Sequence, residues 1–202
     1  MASDEAVAAI RAGQLVVLPT DTVYGLCCDG YREPPFRRLT QLKRRPETMP
    51  VALLGADLDV LLDAVPEARG RAAVIARALL PGPYTLVLPN PARRFRWLCG
   101  TTPEAIGVRI PDLPSVSKTV VEQVGLLAAT SANLHGGSDP ARLADVPPEI
   151  LDGCGAVVDA GELPGMPSTV VDLTGPDPVV LREGAVPTAE VLGAVAAALS
   201  ES

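Results

Sequence analysis

Apolar positions along this chain fall in short runs separated by proline, glycine and polar clusters, and the period of each run predicts its element. Near the start, Ala6, Val7 and Ile10 share one helical face. Ser3 is placed to cap that helix, Asp4 and Glu5 suit the positive end of its dipole, and Gly13 stops it. Residues 15–18 form an unbroken apolar run, as a buried strand does, and Pro19 ends it because proline has no N–H for the ladder. Pro34 and Pro35 open the next helix, with Phe36, Leu39 and Leu42 at helical spacing. It closes at Lys43-Arg44-Arg45-Pro46, since the residue before a proline is pushed out of the α region.

The same reading places a strand at 51–54, helices at 58–64 and 67–80, a break at Pro81-Gly82-Pro83 and a strand at 84–88. Residues 89–100 are irregular and basic; with Trp97 as their one aromatic anchor point they read as a surface loop. A strand at 105–110 carries Arg109 and stops at Pro111. A helix at 114–124 is followed by a strand at 126–129 that runs into Thr130-Ser131-Ala132-Asn133, then by a glycine-rich loop at 134–140. A short helix at 148–151 and a strand at 156–158 come next, then a hairpin of 170–173 with 179–181. An amphipathic helix from Pro187 ends the pattern. Alternating strands and helices without a repeat or linker predict one α/β domain over residues 1–202: an open, twisted mixed sheet with flanking helices and a concave ligand cleft.

Composition narrows the function. With 48% hydrophobic residues the chain forms a globule, and with 3% aromatics its core is built of Ala, Val, Leu and Ile. A net charge of −7 excludes non-specific coating of nucleic acid, which needs clustered cations. The basic runs Arg37, Arg38, Lys43, Arg44, Arg45 and Arg93, Arg94, Arg96 read, taken alone, as solvated helix faces or loops. No apolar stretch has the length of a signal peptide or membrane span, so a cytoplasmic protein without membrane contact is expected. Cys27, Cys28, Cys99 and Cys154 make no C-x-x-C pair and read as small buried hydrophobes in a reducing compartment. His135 is the sole histidine and lies in the glycine-rich loop, so no metal site is expected. A P-loop and a nucleophile elbow are both absent from the sequence.

Polar groups gather at predicted strand ends instead: residues 20–24, 131–133 and 168–169, with Arg109 and Arg182 near the ends of two others. Hydroxyls, an amide and arginine forks suit an amino acid together with a phosphate-bearing ligand. Taken singly, each residue also has a purely structural reading as a helix cap or an ion pair.

Pro19-Thr20-Asp21-Thr22-Val23-Tyr24-Gly25-Leu26 resembles the signature of the YrdC-like family, the L-threonylcarbamoyladenylate synthases. Lys43-Arg44-Arg45-Pro46, Pro81-Gly82-Pro83-Tyr84-Thr85, Thr130-Ser131-Ala132-Asn133, Pro167-Ser168-Thr169-Val170-Val171-Asp172 and Arg182-Glu183-Gly184 match further family segments in order. The resemblance implies an enzyme, a nucleotidyltransferase that condenses L-threonine, bicarbonate and ATP to threonylcarbamoyl-AMP and pyrophosphate for threonylcarbamoyladenosine modification of tRNA. It implies Lys43 and Arg45 as catalytic residues, Thr22, Arg109, Ser131 and Ser168 as contacts to L-threonine, and Arg45, Asn133 and Arg182 as contacts to ATP. Mg²⁺ would accompany ATP, with Asp21 and Asp29 as weak candidates that read more simply as surface carboxylates. Downstream tRNA-threonylcarbamoyl transfer proteins, and weak contact with tRNA itself, are the implied partners.

The chain departs from the family pattern at Cys27, Met49 and Ala105, at Leu134-His135-Gly136 and at Pro140-Ala141. These departures bear on nucleotide contacts more than on threonine recognition. Two other readings stand beside the synthase. One is an RNA-binding or ribosome-maturation module of the same fold; the other is a related enzyme that adenylates a carbamoyl group.

Overall fold

A computed structural model describes residues 2–66 and 68–200 of the chain. The first helix, α1 (Ala2–Arg11), starts two residues earlier than a cap at Ser3 implies, so Ser3 lies inside its first turn. Two arginines further along the chain satisfy carbonyls at its end and just past it: Arg32 Nη2 donates to Ile10 O and Arg11 O, and Arg38 Nη2 to Gly13 O. The apolar run becomes β1 (Leu15–Pro19), buried throughout. It turns through residues 20–23 into β2 (Tyr24–Asp29), its antiparallel neighbour, with Pro19 opposite Tyr24. The sequence pattern places only polar groups at residues 20–24 after Pro19; the second strand and the hairpin it makes with β1 go beyond that expectation.

The chain continues through α2 (Glu33–Leu42), β3 (Ala52–Leu54), α3 (Leu58–Ala64) and α4 (Arg71–Leu79). The helix expected over 67–80 is shorter, because Gly70 precedes it at φ 58, outside helical space; Glu67 lies outside the described residues. Next come β4 (Tyr84–Pro89), β5 (Ala105–Arg109), α5 (Ser115–Val124), β6 (Leu127–Ser131), α6 (Pro148–Asp152), β7 (Cys154–Val157), β8 (Thr169–Asp172), β9 (Val179–Arg182) and α7 (Thr188–Ser200). The predicted hairpin is β8 with β9. No described helix is long and apolar enough to cross a membrane.

The segment between β4 and β5 is more than a surface loop. Asn90 is fully buried, and its side chain donates to Arg94 O and Pro103 O while accepting from Arg94 N. Leu98 and Cys99 are buried, and Phe95 packs edge-on against Trp97. The polar sequence hides this because one asparagine supplies the turn bonds from inside.

Among the described residues one nine-stranded mixed sheet runs in the order β7-β1-β2-β6-β3-β5-β4-β8-β9. Its two faces are covered unequally. On one face, Leu53, Leu86, Leu88, Ile106, Val108 and Val171 pack with residues of α2, α3, α4 and α7, forming the larger core. On the other, α1 and α5 bring Ala6, Val7, Ile10, Val120 and Val121 onto Val16, Leu18, Cys27, Leu54 and Leu127. Those two helices stop at the end of β3. Beyond them the same face of β5, β4 and β8 has no helix, and side-chain alternation puts Gly107, Arg109, Thr85, Val87, Val170 and Asp172 there. The concave cleft is this uncovered half-face.

Candidate active site

The cleft encloses about 470 Å³. Its walls carry Thr22, Arg45, Arg109, Ser131, Ser168 and Arg182 together. These come from the β1–β2 turn, the loop after α2, and the ends of β5, β6, β8 and β9. Residues far apart in sequence therefore face one ligand-sized volume.

Each is set by local chemistry. In the β1–β2 turn, Thr20 Oγ1 accepts from Thr22 N (3.2 Å) and Val23 N (3.3 Å) and donates to Val23 O (2.7 Å). A side chain thus replaces the backbone turn and aims Thr22 Oγ1 toward β5. There Arg109 Nη2 donates to Thr22 Oγ1 (3.2 Å) and to Asp21 Oδ1 (2.9 Å). Asp21 is no surface carboxylate: the pair is nearly enclosed, with side chains 10% and 12% exposed. Burial pushes the Asp21 carboxyl up, against the opposing pull of Arg109. Asp29, the other acid weighed for magnesium, is tied to Arg32 Nε (2.6 Å) and to Tyr31 N (2.9 Å).

The strand pair β8–β9 places the opposite wall. Ser168 Oγ lies 2.8 Å from Thr85 Oγ1, and Arg182 Nη2 donates to Ser168 O (2.7 Å) and Oγ (3.3 Å). Thr85 had no assigned role; its place on the cleft face of β4 depends on register with β8. A strap at 158–168 carries the chain from β7 across the site. Tyr24 Oη accepts from Ala160 N (3.0 Å) and donates to Asp159 Oδ1 (2.7 Å) or Gly161 O (2.8 Å). Gly165 N donates to Thr22 O and Leu163 N to Ala141 O, both at 2.8 Å, so the strap is sewn to the β1–β2 turn.

Gly184 lets the strap's end sit this close: a Cβ there would stand 2.2 Å from Pro167 O and 2.6 Å from Ser168 O. Gly184→Ala is expected to displace Ser168 and cost about 1–3 kcal/mol. At roughly 2–4 °C per kcal/mol in a chain this size, thermal denaturation resolves that loss. An unchanged midpoint would mean that this approach relaxes freely.

Lys43 and Asn133 stand apart from the cleft wall. Lys43 is 2% exposed, and its Nζ donates to Ser131 O (2.6 Å), Asn133 O (2.6 Å) and Asn133 Oδ1. Its own carbonyl accepts from His135 N (2.9 Å). Asn133 Oδ1 also accepts from Ser131 Oγ (2.6 Å), and its Nδ2 donates to Gly137 O. Lys43 therefore links the end of α2 to the end of β6 and the glycine-rich loop beneath the site. Burial and then the charge of Arg45 pull its ammonium down to about 8.

Buried polar atoms without partners mark where a ligand would bond. Among the described residues four atoms are in this state: Arg45 Nε, Arg109 Nε and Asp21 Oδ2, in or beside the cleft, and Trp97 Nε1, in the segment between β4 and β5. Burial lowers the affinity of both Arg45 and Arg109 for their protons, as expected of cations waiting for an anion. Asp139, in the glycine-rich loop, also lines the cleft. No described group of side chains reaches three potential metal ligands, so the residues present do not fit a protein-held magnesium site.

Comparisons with known proteins place the chain in a family. A Mycobacterium tuberculosis protein is 37% identical over 198 residues, covering 96% of this chain and 90% of its own length. The threonylcarbamoyl-AMP synthase of Stenotrophomonas maltophilia is 36% identical over 168 residues, covering 81% of this chain and 88% of its own. The structure of Pyrococcus abyssi Sua5 complexed with L-threonine superposes with a TM-score of 0.87 at 32% identity, over 95% of this chain. The chain spans 56% of the length of that Pyrococcus protein. The Sua5/yciO/yrdC family model, described as "Telomere recombination", matches residues 8–184. A match over that length means that the chain belongs to the Sua5/yciO/yrdC family.

Proposed function

We propose that this protein is a threonylcarbamoyl-AMP synthase, joining L-threonine, bicarbonate and ATP for the modification of tRNA. The observation that carries the reading is the convergence of three guanidinium groups, Arg45, Arg109 and Arg182, with the hydroxyls of Thr22, Ser131 and Ser168 on one cavity. An amino acid presents a carboxylate and an amine, and ATP presents phosphates. Arg109 grips the carboxylate, and Thr22, Ser131 and Ser168 bond the rest of the threonine. Arg45 and Arg182 hold phosphate oxygens. Two anions must meet, and fixed cations in the cleft offset their repulsion at the reacting centre. Threonine nitrogen attacks the carbon of bicarbonate or of CO₂ derived from it. The resulting carbamate oxygen then attacks the α-phosphorus and expels pyrophosphate. Holding these groups in line supplies much of the rate.

Lys43 and Asn133 support this site from below, by fixing Ser131 and the loop that follows. Mg²⁺ would enter with the triphosphate and offset part of its charge. The product passes to tRNA-threonylcarbamoyl transfer proteins. The RNA-module reading loses ground because the basic runs are locally neutralised: Arg37 pairs with Glu33 and Glu47, Arg44 with Glu149, and Arg93 with Glu104.

The test is pyrophosphate release from ATP with Mg²⁺, bicarbonate and each amino acid in turn. Release that requires both L-threonine and bicarbonate is expected. Release with another amino acid would revise the substrate, and none at all would overturn the synthase.

A further inference from the structure

We propose that Asp139 is the general base that takes the proton from the amino group of the substrate, an inference that rests on the synthase reading above. The nitrogen that must form the new N–C bond arrives as an ammonium at neutral pH, and its lone pair is occupied by a proton. One N–H bond must break, its electrons staying on nitrogen and its proton passing to an acceptor. The free amine then attacks bicarbonate, giving carbamate and water.

The cleft offers few acceptors. Asp21 is bound through Oδ1 to Arg109 and lies behind it, outside the cavity lining, with its Oδ2 enclosed and without an exit for a proton. Asp172 is held by Thr174 N (2.8 Å) and Thr174 Oγ1 (2.7 Å) through its Oδ1. The only histidine, His135, is exposed on the loop surface. Asp139 lines the cavity together with Thr22, Ser131 and Arg109, and among the described residues no hydrogen bond or ion pair reaches its carboxylate, which acts on Lys43 through its charge alone. Its backbone is anchored at the right place: the next carbonyl, Pro140 O, accepts from Tyr24 N at 2.9 Å, and Asn133 Nδ2 closes the same loop through Gly137 O. A free carboxylate thus stands beside the turn that supplies Thr22. The β-carboxylate of aspartate, fixed on a loop but unpaired, is suited to accept a proton and release it to solvent.

The charged groups that share the cavity with it are Arg45 after α2, Arg109 on β5, Asp172 on β8 and Arg182 on β9, with Asp21 held against Arg109; Lys43, at the end of α2, lies near enough to feel its charge. Among the cations, Lys43 is the one that titrates near neutrality, and the charge of Asp139 supports its ammonium. Removing Asp139 lets Lys43 lose its proton sooner, which would make activity fall as pH rises. Removing a base has the opposite sign, because free amine supplied by solution increases with pH.

Asp139→Asn and Asp139→Ser in the full chain, assayed for threonine-dependent pyrophosphate release across pH, separate these cases. At neutral pH, kcat is expected to fall by about 100-fold or more. The variants' rates should then climb by about tenfold per pH unit toward the amine's own pKa, while the wild-type rate levels off. The KM for ATP and the melting temperature should stay at their wild-type values. A pH profile parallel to wild type, a rate that falls with pH, or a defect confined to ATP or Mg²⁺ affinity would overturn the assignment. Absence of turnover in the wild-type protein, measured first, would instead overturn the synthase reading and with it this role.

Discussion

Lys43→Met is expected to lower turnover by at least about 100-fold and to destabilise the protein by roughly 2–5 kcal/mol. Methionine matches the length and apolar stem of lysine but donates nothing. Ser131 O, Asn133 O and Asn133 Oδ1 would lose their shared donor in a place that water does not reach. Each unsatisfied buried acceptor costs about 1–3 kcal/mol before relaxation. The loss of activity follows from displacement of Ser131, since a shift near 1 Å at a reacting centre can cost about 100-fold. Thermal melting and pyrophosphate-release kinetics on one preparation check both parts. The resemblance alone would have Lys43 act on the reacting atoms with the fold untouched when it is removed. A variant with wild-type stability and lost turnover would favour that direct role, and wild-type values for both would remove Lys43 from the site altogether.

Arg109→Ala carries the second large effect. Asp21 would be left as a nearly enclosed carboxylate without its cation. Breaking one side of such a pair costs about 3–5 kcal/mol. The KM for threonine is expected to rise by about 100-fold or more, because the carboxylate loses its fork. Lysine at this position restores the charge but not the bidentate plane, so Arg109→Lys should recover little affinity. The double variant Arg109→Ala/Asp21→Ala distinguishes the two losses. It is expected to regain most of the stability, since no charge is left buried, and none of the threonine affinity. Urea denaturation and substrate titration of the single and double variants provide the cycle. Additive losses of stability would show that the two residues are not coupled, and threonine affinity regained in the double variant would refute the role of Arg109.

The elements with strong local signals were legible in the chain. α2 lies where proline at its start and Pro46 beyond its end put it. Strand β5 lies where apolar alternation and Pro111 confined it, and the β8–β9 hairpin falls within a residue of its pattern. β2 was not legible, because Thr20 makes its turn with a hydroxyl and because half of its pairing is to β6, a strand about a hundred residues later. The buried role of Asn90 was hidden for the same reason: an asparagine in a polar segment reads as exposed unless its partners are known. At the site, the motif residues could be named but not sorted. Thr22, Arg45, Arg109, Ser131, Ser168 and Arg182 share a cavity, whereas Lys43 and Asn133 lie beneath it.

What the sequence determined by itself was the alternation of strands and helices, the family and the identity of the polar groups, because these depend on local periodicity and on residue types in order. The tertiary structure alone decided which acid neutralises Arg109, which hydroxyl meets Ser168, and that Lys43 points inward to backbone carbonyls. Those facts depend on strand order and register across the sheet, and on two helices covering only half of one face. Side-chain direction at a strand end reverses with a one-residue shift in pairing, and nothing local in the chain encodes that shift.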